Sequence, residues 1–244
     1  MHRFYADPDR SGDSSVSLAP EDARHALKVL RLRPGDRVEL ILHEQRYLAE
    51  ITSVAADRVL LSPLELLSST EPSLSVTLFQ GLAKNDKMDW IVQKSVELGV
   101  TRIVPVAFSR CVVHLDPKDA SRKVERWQRI SREAGKQCGR CVIPEVALPV
   151  SLSALGPLFS SCETVAVPWE NCTEGGPLAF VRRHPSLSSL GIVIGPEGGI
   201  SWEEMDLLMT LGCEPITLGR RILRTETAGL AAASVLLGLY GEME

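Results

Sequence analysis

The chain has 244 residues, of which 44% are hydrophobic, enough for a core in one large domain or two modest ones. No segment approaches the roughly 20 apolar residues of a membrane span. Met1-His2-Arg3-Phe4-Tyr5 is polar within a few residues and no long apolar stretch follows it, so a cytoplasmic protein without membrane contact is expected. The net charge of −4 excludes a uniformly basic nucleic-acid binder, so any RNA contact must come from local patches.

Residues 1 to about 70 read as β-rich. Pro20-Glu21-Asp22 open a helix that Ala23 to Leu30 continue, and Pro34-Gly35-Asp36 is a turn. Val38, Leu40 and Leu42 follow strand periodicity. Tyr47 to Val54 and Arg58 to Leu64 are further short strands, parted by Ala56-Asp57 and closed near Pro63. A small β-barrel fits this pattern. The polar stretch Ser68 to Ser73 is a linker.

After the linker, strands and helices alternate. Strands are expected at Leu74 to Phe79, Ile103 to Ala107, Val142 to Val146, Thr164 to Val167, Gly191 to Ile194 and Pro215 to Leu218. Helices are expected at Asp86 to Leu98 (ended by Gly99), Asp119 to Gln137, 177–183, 202–211 and 225–240. The fold class is therefore α/β, with a parallel sheet covered on both faces. The expected domains are 1–70 and 71–244.

Six cysteines are present. A core of this size needs no staples, so disulfides are not expected. Cys138-Gly139-Arg140-Cys141 has C-x-x-C spacing, but no second pair completes a zinc site. It also follows a long basic helix, not the early strand of a thioredoxin-like site. No metal is expected.

Gly191 to Ile194 empties into Gly195-Pro196-Glu197-Gly198-Gly199, and Ser201 with Glu204 forms a capping box for the next helix. Ligands of parallel sheets bind at the carboxyl ends of strands, and glycines let a ligand approach the backbone closely. The phosphate-binding glycine patterns are missing, and Glu197 would repel a pyrophosphate. A cationic or neutral ligand is expected, and S-adenosylmethionine, with its sulfonium and ammonium, suits. The alternative is a tight strand-to-helix turn with no ligand.

A second constellation, Leu218 through Ala228, places Arg220, Arg221 and Arg224 around Ile222 and Leu223 at the start of an apolar helix. Thr225 is a candidate N-cap, and Glu226 in the first turn is favoured by the helix dipole. A cation cluster at a strand end suits a phosphate or a developing oxyanion.

Arg122, Arg126, Arg129, Arg132, Lys136 and Arg140 recur at helical spacing, opposite Val124, Trp127, Ile130, Ala134 and Cys138. Such a stripe grips phosphates, or it is an ordinary solvated face with a Glu125–Arg129 pair. The N-terminal region adds Arg24, Lys28, Arg31, Arg33 and Arg37 around His25, itself a structural histidine or an RNA contact.

These segments together resemble the ribosomal RNA small-subunit methyltransferase E family of the SPOUT class. The match runs through His2-Arg3-Phe4, His25, Val29-Leu30-Arg31, Gly35-Asp36, Lys84 and Lys87 to Trp90. It continues with Lys94, Glu97 to Val100, Arg110, Arg126-Trp127, Ile130, Glu133-Ala134, Gln137 and Arg140, and ends in the two C-terminal motifs. The resemblance implies a PUA-like β-barrel that helps hold RNA, and a domain closed by a trefoil knot. It implies a homodimer that methylates N3 of one uridine of small-subunit ribosomal RNA, in the decoding region of an assembled small subunit. Gly195, Pro196, Glu197, Gly198, Gly199, Leu218, Gly219, Ile222 and Leu223 would hold S-adenosylmethionine. Arg3, His25, Arg31, Lys94, Arg110, Arg126, Arg129, Gln137 and Arg140 would contact RNA. Lys136 and Cys138 depart from the family pattern, which has an acid and a serine there.

Uracil N3 is a poor nucleophile until its proton leaves, after which charge spreads onto O2 and O4. A donor beside one of these oxygens lowers the barrier. Arg224 is the catalytic candidate for that role, with Glu226, Glu197 or solvent as proton acceptor. A related knotted enzyme acting on transfer RNA or large-subunit RNA, and a catalytically silent ribosome-assembly protein, are the competing readings.

Overall fold

The computed structural model describes residues 1–6, 15–55 and 58–243. The Ala56-Asp57 separator lies outside the described residues. Two compact units are present: Met1–Glu71 with Lys136–Val142, and Pro72–Gly135 with Ile143–Glu244.

The first unit is built on β1 (Arg3–Tyr5), β2 (Val16–Ser17), β3 (Arg37–Leu42), β4 (Gln45–Val54) and β5 (Val59–Leu66). Their order is β1-β3-β4-β5-β2, with β3, β4 and β5 antiparallel and β1 joined to β3 in parallel. Val38 and Leu40 point into a core shared with Phe4, Leu18, Ile51 and Leu61. The other face of β3 is covered too. Glu39 accepts hydrogen bonds from Arg3 Nε (2.7 Å) and Arg46 Nη2 (2.7 Å).

Two local expectations for this unit are corrected. β5 runs through Pro63 instead of stopping there. The register steps from Leu48↔Glu65 to Ala49↔Pro63, and such a bulge seats a residue that has no N–H to give. The helix expected to run to Leu30 is α1 (Pro20–Arg24) followed by a π-helical turn, His25–Val29. The chain then leaves the helix at Arg31, whose φ is 55°.

The second unit contains β6 (Ser75–Gly81), α2 (Lys87–Leu98), β7 (Arg102–Ala107), most of α3 (Pro117–Cys138), β8 (Glu145–Val146) and β9 (Val150–Ser151). It continues with α4 (Leu155–Phe159), β10 (Thr164–Pro168), α5 (Pro177–Arg183), β11 (Ser189–Ile194), α6 (Trp202–Thr210), β12 (Glu214–Ile216) and α7 (Thr225–Leu239). The sheet order is β12-β10-β11-β6-β7-β8, with β9 also on β7. Every pairing is parallel. The strands read as continuous apolar runs because helices cover both faces. Leu78, Phe79, Val104, Ala166, Val167, Ile192 and Val193 are all buried.

Local chemistry sets the ends of these elements. Gly99, at φ 104°, closes α2 by donating to the carbonyls of Ser95 and Val96, the usual left-handed stop. The strand expected at Val142 to Val146 shrinks to Glu145–Val146. Pro144 turns its carbonyl to Ser131 Oγ (2.7 Å) and Gln128 Nε2 (3.0 Å) of α3 instead. None of the six cysteines is in a disulfide. Among the described residues, no helix is long and apolar enough to cross a membrane, and no side-chain group is arranged to hold a metal.

Candidate active site

Four strands that are neighbours in the sheet, β12, β10, β11 and β6, run in the same direction, so their carboxyl ends share one edge. A cavity of about 880 Å³ lies there, where parallel sheets take their ligands. Trp169, Glu170, Cys172 and Thr173 line it after β10. Gly195 through Ile200 line it after β11, and Thr217 through Thr225 after β12. Lys87 and Ala228 complete the wall from α2 and α7.

The cavity thus brings together Gly195, Pro196, Glu197, Gly198, Gly199, Leu218, Gly219, Ile222, Leu223 and Arg224. Glu226, one residue past the lining, joins them through Lys87.

The loop after β11 is shaped by its glycines, though not all for the expected reason. Gly199 has φ 73°, which an L side chain resists. A Cβ on Gly195 would come within 2.8 Å of Ile200. At Gly198 the space expected for a ligand is filled by the protein. A Cβ there would lie 2.7 Å from Arg110 Cβ and 2.9 Å from its carbonyl oxygen. Arg110 Nη1 also donates to the Gly198 carbonyl (3.3 Å). The capping box of α6 is present, with the Ser201 hydroxyl accepting from the Glu204 N–H and Glu204 accepting from the Ser201 N–H. Glu204 accepts a further bond from the Ser109 N–H (2.6 Å), tying the segment after β7 to the same loop.

The loop after β12 turns at Gly219, φ 100°, whose N–H donates to Thr217 Oγ1 (3.1 Å). Arg220, Arg221 and Arg224 are exposed, and Ile222 is 85% exposed. The N-cap of α7 is Arg224, not Thr225. Thr225 is buried, and its hydroxyl donates to the Gly195 carbonyl (2.7 Å) while accepting from Gln80 Nε2 (2.9 Å). It therefore bonds tertiary partners instead of its own helix, and it joins the two loops.

Lys87, in the first turn of α2, provides a second link. Its ammonium lies 3.0 Å from Glu226 Oε2 and 3.3 Å from Glu197 Oε1. Glu197 also accepts from the Lys84 N–H (3.0 Å). Burial pushes the Glu226 carboxyl up, but its own backbone N–H, Lys87 and Arg224 outweigh this and hold it below the usual range. Glu197 is likewise held low against burial by the Lys84 N–H, its own N–H and Lys87. Glu226 raises the Lys87 pKa in return, and Glu197 adds to it.

The expected RNA contacts fall in both units. In the second, Arg129 is exposed, and Arg126 Nε donates to Asp89 (3.0 Å). Lys94 pairs with Glu97 (2.8 Å) and sits 5.0 Å from the Trp90 ring centroid. No Glu125–Arg129 ion pair occurs among the described residues. In the first unit His25, Arg31 and Gln137 are exposed, and Arg3 is committed to Glu39. Arg140 departs from its expected place. It is 4% exposed and pairs with Glu71 (2.7 Å), so it belongs to the interior and not to an outer stripe. Cys138, expected on the apolar side of α3, is exposed.

Sequence reasoning misses Lys87 and Gln80 as site residues, and Trp169 and Glu170 with them. For Lys87 the signals are its place in the family match and the K-x-x-K spacing of Lys84 and Lys87 just past a strand end.

Fold and site together define a parallel α/β domain with a cavity between two loops at its strand ends. Residues 70–237 match the model of an RNA methyltransferase domain, and residues 18–64 that of an RNA methyltransferase PUA domain. The ribosomal RNA small subunit methyltransferase E of Bacillus subtilis is 35% identical over 91% of this chain and 89% of its own. That of Aquifex aeolicus is 31% identical over 97% and 99%. The crystal structure of the Neisseria gonorrhoeae enzyme, bound to S-adenosyl methionine, superposes with a TM-score of 0.82 at 34% identity over 98% of both chains. The chain belongs to the ribosomal RNA small subunit methyltransferase E family of RNA methyltransferases, with an N-terminal PUA-like domain.

Proposed function

We propose that this protein uses S-adenosylmethionine to methylate N3 of a uridine in small-subunit ribosomal RNA, in the decoding region of an assembled small subunit. Methylation of ribosomal RNA with this cofactor rests on family membership. The choice of uracil N3 and of the decoding region is the finer part of the proposal. The observation that carries it is the cavity between the loops after β11 and β12, with the ionised Glu197 on its wall and Glu226 joined to it through Lys87.

The residues present fit the cofactor. A volume of about 880 Å³ lies within the roughly 300–1,000 Å³ range of small-molecule sites. Leu218, Leu223, Ile194 and Trp169 offer apolar wall, and Glu197, Glu226 and Glu170 offer negative charge toward a cationic ligand. Gly195 through Gly199, with Leu218, Gly219, Ile222 and Leu223, would hold it. When bound, S-adenosylmethionine supplies an electrophilic methyl group.

The chain's own task is to place the uracil, exclude water and stabilise charge. As the N3 proton leaves, negative charge grows on O2 and O4. Arg224, whose backbone is fixed as the N-cap of α7 and whose side chain is exposed at the cavity wall, offers several donors to one such oxygen. The lowered proton affinity of Glu226 supports an electrostatic role for that residue, with solvent as the final proton acceptor.

Residues 1–70 would serve as the RNA-holding module and 71–244 as the catalytic domain. Exposed Arg129, His25, Arg31 and Gln137 are the better-placed RNA contacts. A trefoil knot at the two loops and a cytoplasmic homodimer follow from the family resemblance. The exposed Val235 and Leu239 of α7 support a dimer contact there. Nucleoside mass spectrometry of small-subunit ribosomal RNA from cells with and without the gene tests the function. Loss of 3-methyluridine without the gene is expected, and an unchanged nucleoside profile would refute it.

A further inference from the structure

Lys87, on the cavity wall, holds its ammonium between two carboxylates that come from different segments. Glu197 belongs to the loop after β11 and Glu226 to the first turn of α7, while Lys87 reaches both from the first turn of α2. Lys87 is about one-quarter exposed, and both carboxylates have a similar 22% exposure. Such partly desolvated pairs are stronger than pairs in open water.

The other charged groups around this triad do not substitute for Lys87. Arg224 faces Glu226 from the preceding loop and helps hold it ionised. Lys84 reaches Glu197 only through its backbone N–H. Glu170, after β10, adds a further negative charge to the cavity wall. Without the ammonium, each carboxyl would lose its bond to Lys87 while burial, which favours the neutral acid, stayed in place.

We propose that Lys87 is a positioning residue, clamping Glu197 and Glu226 so that the two cofactor loops are assembled, with both carboxylates ionised, before any ligand arrives. This rests on the methyltransferase reading above. It adds that the cavity is held ready by a side chain outside both glycine loops. The three groups together carry a single net negative charge, which suits a cationic ligand. The clamp acts with the Thr225 hydroxyl bond to Gly195, so each loop is tied twice.

In the native protein both carboxyls titrate below the usual carboxylate range, so the ionised clamp is intact from neutral pH down through ordinary carboxylate values. It is lost only as pH falls through the lowered pKa. In Lys87→Met, at least one carboxyl should titrate at or above the usual range. Charge at the cavity would then be lost at higher pH.

The test uses the full-length protein. Glutamate side-chain carbons are followed by NMR in the ligand-free protein, native and Lys87→Met, across an acid titration. Cofactor affinity is measured by calorimetry on the same samples. The expected result is an upward move of one carboxyl by about one pH unit or more, with a loss of roughly tenfold in S-adenosylmethionine affinity. Lys87→Arg keeps the charge and should restore both readouts. Should Lys87→Met fail to fold, Glu197→Gln, which leaves Lys87 in place, should weaken the cofactor severalfold while Glu226 still titrates low. Unmoved carboxyl titrations, unchanged affinity in Lys87→Met, or a Lys87→Arg protein as impaired as Lys87→Met would overturn the proposal. A native protein that binds no cofactor, yet shows the clamp by NMR, would instead refute the methyltransferase reading.

Discussion

The Thr225 hydroxyl donates to the carbonyl of Gly195 at 2.7 Å, joining the start of α7 to the residue that follows β11 in the cavity wall. The same oxygen accepts from Gln80 Nε2, and Gln80 is fully buried. Thr225→Val keeps the shape but leaves a buried amide and a carbonyl without this partner. Leaving a buried group unsatisfied costs ~1–3 kcal/mol. Urea unfolding should show a loss of that size, and Thr225→Ser should recover most of it. A valine variant as stable as the native protein would remove Thr225 as a structural link.

Gly198 and Gly219, in the two loops proposed to hold the cofactor, should respond differently. Gly198→Val drives a side chain into Arg110, so the loop must shift, and a roughly tenfold or greater loss of S-adenosylmethionine affinity is expected. Gly219→Ala meets nothing within 4 Å and pays only for its left-handed backbone, about 1 kcal/mol. Calorimetry and thermal melting separate the two. Equal effects at both positions would show that crowding at Arg110 does not matter.

Arg224 sits at the N-cap of α7, and its carbonyl accepts from the N–H groups of Thr227 and Ala228 (both 2.8 Å). Its backbone is therefore fixed while its side chain is exposed. Arg224→Lys should lower the single-turnover methylation rate by roughly 100- to 1,000-fold, the loss typical of removing one oxyanion donor. Cofactor affinity should stay nearly native. A normal single-turnover rate at saturating cofactor and RNA would rule out a catalytic role for it.

Along α3, Arg129 and Arg132 are exposed, whereas Arg126 is engaged by Asp89. Replacing Arg129 and Arg132 with alanine should reduce the salt slope of RNA binding by about 1 to 2, near one unit for each phosphate that is no longer neutralised. Arg126→Ala should reduce it less. Binding to small subunits at several salt concentrations reads this out, and an unaltered slope in the double variant would return the stripe to plain solvated surface.

How far the sequence disclosed the molecule depends on how local each feature is. The Ser201–Glu204 capping box was legible because both partners lie within one helical turn. The strand-to-loop transition at Ile194 was legible because a short apolar run empties into glycines. Lys87 was hidden because its partners lie more than a hundred residues away, and nothing local marks a lysine in a first turn as a clamp. Thr225 fits the local pattern of an N-cap, yet its hydroxyl is claimed by Gly195 and Gln80. Arg140 lies beyond the reach of the helical periodicity that places it on the stripe. α3 ends at Cys138, and Gly139, with φ 89°, breaks the phase and turns Arg140 inward to Glu71. Periodicity places side chains only while the helix lasts.

The most direct measurement is reconstitution with defined components. Purified protein is incubated with isotopically methyl-labelled S-adenosylmethionine and small ribosomal subunits from cells lacking the gene, and the RNA is digested for nucleoside mass spectrometry. The account predicts labelled 3-methyluridine at a single uridine of the decoding region, and none when the cofactor is omitted or the subunits are already modified. Absence of any labelled nucleoside, or label on another base, would contradict it.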